Sequence, residues 1–224
     1  MPRVPIPSLP AVHLPFLMNP DTGGGRFVNP WGVGVNRGPL DVLRWKLAGR
    51  GPFAALRKTP PRLPEVKDAV GAWNTVDPGA RVQWLGHASV LIELEGLHIL
   101  IDPVFGGAGP VVPRKVAAPR LPDHLPPIDV ILLTHGHYDH LDAKSVAAVL
   151  SANPTCRVVV PRGLGRALPR GCAQVTEASW WDRVTLDEDR GVDAVLVPAQ
   201  HWHLRSGFDR NRSLWGGWFV RSPR

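Results

Sequence analysis

The stretch from Asp129 to Asp142, DVILLTHGHYDHLD, constrains the fold of this 224-residue chain more than any other. Its first five residues include an apolar run without alternation, bounded upstream by Pro126-Pro127. Such a run fits a strand buried on both faces, which requires a packed layer on either side of its sheet. The string that follows, THGHYDHLD, places three histidines and two aspartates in nine positions. LDAKSVAAVLSANP then has the pattern of a helix, with Asp142 as N-cap and a stop at Asn153-Pro154. A buried strand, a loop rich in metal donors and a capped helix thus follow one another in series.

The surrounding sequence extends this pattern. SVLIEL over Ser89–Leu94 and HILI over residues 98–101 read as strands joined by a hairpin turn at Glu95-Gly96. CRVVVP is a further buried strand, GLGRALPRG a short helix, and DAVLVPAQHWH a strand running into histidines. Strands alternating with helices give an α/β protein with layered packing. Residues 1–80 are rich in Pro and Gly and read as an arm packed on a domain spanning residues 81–224. Within the arm, Leu40, Leu43 and Leu47 lie at helical spacing in a segment that ends at Gly49.

Composition narrows the function classes. Two cysteines, Cys156 and Cys172, with no CxxC pair, argue against a disulfide scaffold and a thiolate metal site. The net charge is +7, but no block of five or six basic residues appears, so a nucleic-acid partner is not expected. The N-terminus is broken by prolines, and no apolar run approaches the roughly 18 to 20 residues of a membrane span. The expectation is a cytoplasmic protein, with peripheral membrane contact left open.

Two buried strands end in histidines, and ligands of open α/β sheets gather at the carboxyl ends of strands. His135 and His137 are two residues apart, so in an extended segment they point to one side. His201, after the later strand, completes a set of three imidazoles suited to a catalytic zinc with an open fourth position. Asp139 and His140 begin a second metal position. His203 would face the same side as His201 if that segment were extended. Without a metal or other partners, several polar rings at buried strand ends would be costly.

The HxHxDH string, His135, His137, Asp139 and His140, resembles the signature of the metallo-β-lactamase-fold hydrolases. GRFVNPW, WLGHASVLIE, IDPVF, PAQHW and SLWGGW narrow the likeness to the N-acyl phosphatidylethanolamine-hydrolysing phospholipase D branch and its bacterial relatives. The resemblance implies an αββα sandwich with a two-zinc site between similar halves. His135, His137 and His201 would hold one zinc, and Asp139 and His140 the other. It implies a phosphodiesterase acting through a metal-bound hydroxide on a small-molecule or lipid phosphodiester, with Asp139 as metal ligand and catalytic residue. Asp102 would support the ligand histidines from behind, and His87 would line the site. Trp31, Trp45 and Trp202 are candidates for an acyl channel. A lactonase similar to the ascorbate-phosphate lactonase group is the rival enzyme, and an inactive zinc-binding fragment the rival of another class.

The resemblance also implies a bridging aspartate in a GDTG-like turn and a later histidine on the second metal. After His203 the sequence holds one aspartate, Asp209, before the LWGGW segment, and no histidine. FDRNRS reads as a loop or a substrate-facing segment rather than that turn. The expectation is therefore a C-terminally truncated member, comprising the first half of the sandwich and the start of the second.

Overall fold

Residues 81–101 alternate in a way that pairs them as an antiparallel meander of β1 (Arg81–Gly86), β2 (Ser89–Leu94) and β3 (Leu97–Ile101). The computed structural model describes residues 24–30, 44, 79–107, 114 and 125–223. Glu95 and Gly96 both have positive φ, 51° and 76°, as a two-residue hairpin turn that follows strand twist requires. Parallel pairing then adds β4 (Val130–Leu132), β5 (Arg157–Pro161) and β6 (Val175–Ala178), giving a six-stranded sheet in the order β1-β2-β3-β4-β5-β6. A second, antiparallel sheet consists of β7 (Arg183–Asp187), β8 (Val192–Val197) and β9 (Gly217–Arg221).

Alternation across the pleat explains why β4 and β5 read as unbroken apolar runs. Ile131, Leu133, Val158 and Val160 pack with Val146 and Val149 of the helix α1 (Ala143–Ala152). Val130, Leu132 and Val159 face the other way, onto Leu186, Val192 and Ala194 of the second sheet. Both faces are covered, so neither tolerates a polar residue. The described layers are helix, sheet and sheet, an arrangement that fits an αββα sandwich.

The helix begins where the cap residue indicates. Asp142 accepts from Lys144 N at 3.2 Å and Ser145 Oγ at 2.6 Å. At the other end Asn153 bonds Val149 O through its amide nitrogen and accepts from Ile128 N, at 2.8 and 2.9 Å. One side chain therefore fixes the end of α1 against the entry to β4.

One expected helix and three strands differ from the sequence reading, and a second expected helix lies almost wholly outside the described residues. GLGRALPRG forms only a 3-10 turn over Gly165–Ala167, held between Pro161 and Pro169. Strands β1, β6 and β7 were not foreseen; β1 and β6 lie at the edges of the large sheet and β7 at one edge of the small one. Of the helix expected over residues 40–49, only Arg44 is described, in helical conformation.

Asn153→Ala orphans the nearly buried Ile128 N–H and should lower stability by about 1–3 kcal/mol in denaturant unfolding. Asn153→Asp keeps the acceptor and should recover part of that loss.

Candidate metal centre

The donor loop leaves β4 at the sheet's carboxyl edge and is held by bonds from several directions. Leu133 N donates to Val159 O at 3.0 Å, and the Trp218 indole donates to Leu133 O at 2.8 Å. Gly216 N donates to Thr134 O at 3.0 Å, so the second sheet is tied to the first residue of the motif. The Arg205 guanidinium donates to Gly136 O and Leu141 O, at 3.0 and 2.9 Å, and stacks over Tyr138. This cation is desolvated, which lowers its pKa.

Gly136 is required by what lies behind it. A Cβ there would stand 2.4 Å from His203 Cε1 and 2.7 Å from Leu164 Cδ1. His203 is buried to 1% exposure beneath the loop, with Nε2 3.4 Å from Asp209. It does not turn to the side of His201, because residues 201–204 are not a strand. Asp209 accepts from Arg205 N and Ser206 N, both at 2.9 Å. Burial works against its charge, but those amides outweigh it and hold the carboxyl down at about 2. It acts as the cap of a turn.

Among the described residues, two groups of donors converge. His135, His137 and His201 bring ligand atoms within 4.8 Å of one another, and so do His87, Asp139 and His140. The first three rings meet edge to face, with centroids 4.3 to 4.9 Å apart. His201 Nε2 lies 3.1 Å from His137 Nδ1. The backbone of His201 is fixed by residues 24–30: its N–H donates to Asn29 Oδ1 at 2.8 Å, while Phe27 N donates to Asn211 O at 2.7 Å.

Asp102 lies behind both groups. It is 1% exposed, sits at φ 43° just after β3, and accepts from Thr134 N through Oδ1 at 2.8 Å. Its Oδ2 accepts from Thr134 Oγ1 at 2.6 Å and from His140 Nδ1 at 2.8 Å. With its proton given to Asp102, the Thr134 hydroxyl can only accept from His135 Nδ1, 2.9 Å away. Both imidazoles therefore carry their proton on Nδ1 and present a lone pair at Nε2. Asn29 and Thr134 were not singled out from the sequence; the TH of THGH and the N of FVNPW were the available signals.

Electrostatics separates the two groups. Burial and then the charge of His140 depress the His135 pKa strongly; burial and then His201 bring His137 down to about 4. His201 is also lowered, by burial first. Burial opposes the charged form of His140 too, but the hydrogen bond and charge of Asp102 outweigh it and raise its pKa. Asp102 itself is raised by burial, against the lowering from His140 and Thr134. Neutral imidazoles with converging lone pairs repel one another and are relieved by a cation, so this donor set fits a metal such as zinc. Among the described residues the buried Nε2 of His137 has no hydrogen-bond partner, while its Nδ1 is the nitrogen that faces His201 Nε2.

The model of the Beta-lactamase superfamily domain matches residues 98–224. The N-acyl-phosphatidylethanolamine-hydrolyzing phospholipase D 1 of Caenorhabditis elegans is 33% identical over 156 residues, 64% of this chain and 44% of that protein. An uncharacterised protein of Mycobacterium tuberculosis H37Rv is 30% identical over 216 residues, 92% of this chain and 55% of its own length. A UPF0173 metal-dependent hydrolase of Methanopyrus kandleri is 43% identical over 138 residues, 61% of this chain and 53% of its own. The chain spans about half the length of the curated relatives it matches.

The two groups should release metal at different pH. Protons begin to compete for His140 above the ordinary value of 6.5, because its pKa is raised. Competition for His137 starts only as pH approaches about 4. Acid titration of the metal-loaded protein, followed with a chromogenic chelator, should show two steps, with the Asp139–His140 position emptied first.

Proposed function

This chain belongs to the beta-lactamase superfamily, and on that premise we propose that it is a metal-dependent hydrolase, a zinc-dependent phosphodiesterase of phospholipase D type cleaving N-acyl phosphatidylethanolamine-like lipids. The observation that carries this reading is the pair of adjoining donor groups, three imidazoles beside an Asp–His pair, oriented by one buried carboxylate. Two neighbouring metal positions suit an in-line displacement at phosphorus, where the attacking and leaving oxygens both carry charge. Zinc, when bound, supplies Lewis acidity toward the phosphoryl oxygens and lowers the pKa of water.

The chain's own residues divide the remaining work. His135, His137 and His201 stay neutral and present lone pairs. Asp139 is ionised: burial would raise its pKa, but the charge of His140 and the hydrogen bond with His87 lower it further. Its carboxylate can both ligate and accept a hydrogen bond from the attacking water, fixing the line of attack. Trp202 stands edge-on to His137 at 4.5 Å, with Arg210 5.6 Å over its ring. An apolar wall beside a cation suits an acyl chain next to a phosphate, as does the 88% exposed Phe208 nearby in sequence. The likeness to the Caenorhabditis elegans enzyme supports the lipid substrate. Trp31 and Trp45 lie outside the described residues.

Zinc-loaded protein should release an N-acylethanolamine and phosphatidic acid from N-acyl phosphatidylethanolamine vesicles. His135→Ala should lower the rate by at least about 100-fold. Turnover of lactones with none of the phosphodiester would identify a lactonase instead, and bound zinc without any turnover an inactive binding fragment.

A further inference from the structure

We propose that His87 is a direct protein ligand of the second metal position, completing a three-donor set with Asp139 and His140. The inference rests on the two-metal reading above and goes beyond it, since the HxHxDH motif supplies only the latter two residues. His87 Nε2 lies 3.1 Å from Asp139 Oδ2, and His140 Nε2 lies 3.8 Å from the same oxygen. Donors bound at the usual 2.0–2.2 Å of zinc are about 3.3 Å apart in a tetrahedron. The observed separations bracket that value. The His87 and His140 rings approach edge to face, with centroids 5.7 Å apart, as neighbouring imidazoles around one ion would.

The turn that carries His87 is built to deliver this ring. Pairing of β1 with β2 slips between Trp84 and Gly86, and Gly86 and His87 then take positive φ, 98° and 52°. A left-handed backbone is uncommon for a residue other than glycine, although histidine is among the more tolerant. The Trp84 indole donates to His87 O at 2.8 Å and pins the residue there. Across the gap, Asp102 already fixes the His140 tautomer with its free lone pair at Nε2. The His87 and His140 donor atoms are thus set by their own supports and converge with Asp139 from two different loops.

A hydrogen bond between His87 and Asp139 alone accounts for less. The two side chains are 51% and 38% exposed, and pairs that exposed contribute little to stability. Such a contact explains neither the strained turn nor the nearby His140 lone pair. Ligation of one cation accounts for all three donors with the same few atoms.

The test is zinc stoichiometry and affinity, measured by elemental analysis and chelator competition on wild type, His87→Ala and His87→Gln. Wild type should hold about two zinc ions per chain. Both variants should hold one, with the second weakened by at least roughly 100-fold and the first unchanged. Glutamine keeps a side chain that can bond Asp139 but lacks the imidazole, so it separates ligation from hydrogen bonding. Cadmium-113 resonances of the substituted wild type should include one that is lost in both variants. Two ions retained at wild-type affinity in either folded variant would overturn the ligand assignment and leave the two-metal reading standing. Fewer than two ions in wild type would overturn both.

Discussion

The hydrogen bonds of Asp102 are the constraint on which the rest of the centre depends. A carboxylate this deeply buried is costly unless its lone pairs are occupied, and here three donors occupy them: Thr134 N, Thr134 Oγ1 and His140 Nδ1. Its backbone is equally committed. Asp102 N donates to Leu132 O, and Asp102 O accepts from Ser89 Oγ, which in turn accepts from Val104 N. The residue therefore joins β2, β3 and β4 at the edge where the donor loop begins. Because it acts on His140 directly and on His135 through Thr134, one side chain sets the proton positions of both donor groups.

The remaining supports hold that loop in place around Asp102. Arg205 draws the carbonyls of Gly136 and Leu141 inward, His203 fills the space behind Gly136, and Trp218 and Gly216 bind Leu133 and Thr134 from the second sheet. Asn29 adds a bond to the backbone of His201. His201 thus reaches the centre from the second sheet, while His135, His137, Asp139 and His140 reach it from the first. Packing of the two sheets through Ile99, Leu132, Val159, Val192 and Ala194 is what brings His201 within reach of His135 and His137.

Much of this was legible in the sequence, for reasons that can be stated residue by residue. The run DVILL and the cap–stop pair Asp142 and Asn153 mark their elements because burial on two faces and helix ends leave strong local signatures. The donors of HxHxDH were visible through their spacing, and His201 through its place after a buried strand. Edge strands were not visible: β1 exposes Val82 and Trp84, and β6 exposes Val175 and Glu177, so their alternation is not the hydrophobic-in, polar-out kind. His203 does not share the side of His201, because parity along the chain holds only in an extended segment and residues 201–204 are not one. Thr134 and Asn29 are short polar residues whose partners lie 32 and 172 positions away, and spacing carries no trace of contacts so distant.

Asp102→Asn tests the central claim most directly. Asparagine has one oxygen, and placing its amide where Oδ2 now sits would donate to Thr134 Oγ1 and His140 Nδ1 instead of accepting. Both histidines would then be driven to the tautomer that puts the proton on Nε2. Calorimetric titration of zinc into the folded variant should show both positions weakened together, each by roughly 10–100-fold. Loss at one position alone, or wild-type affinity at both, would contradict the account.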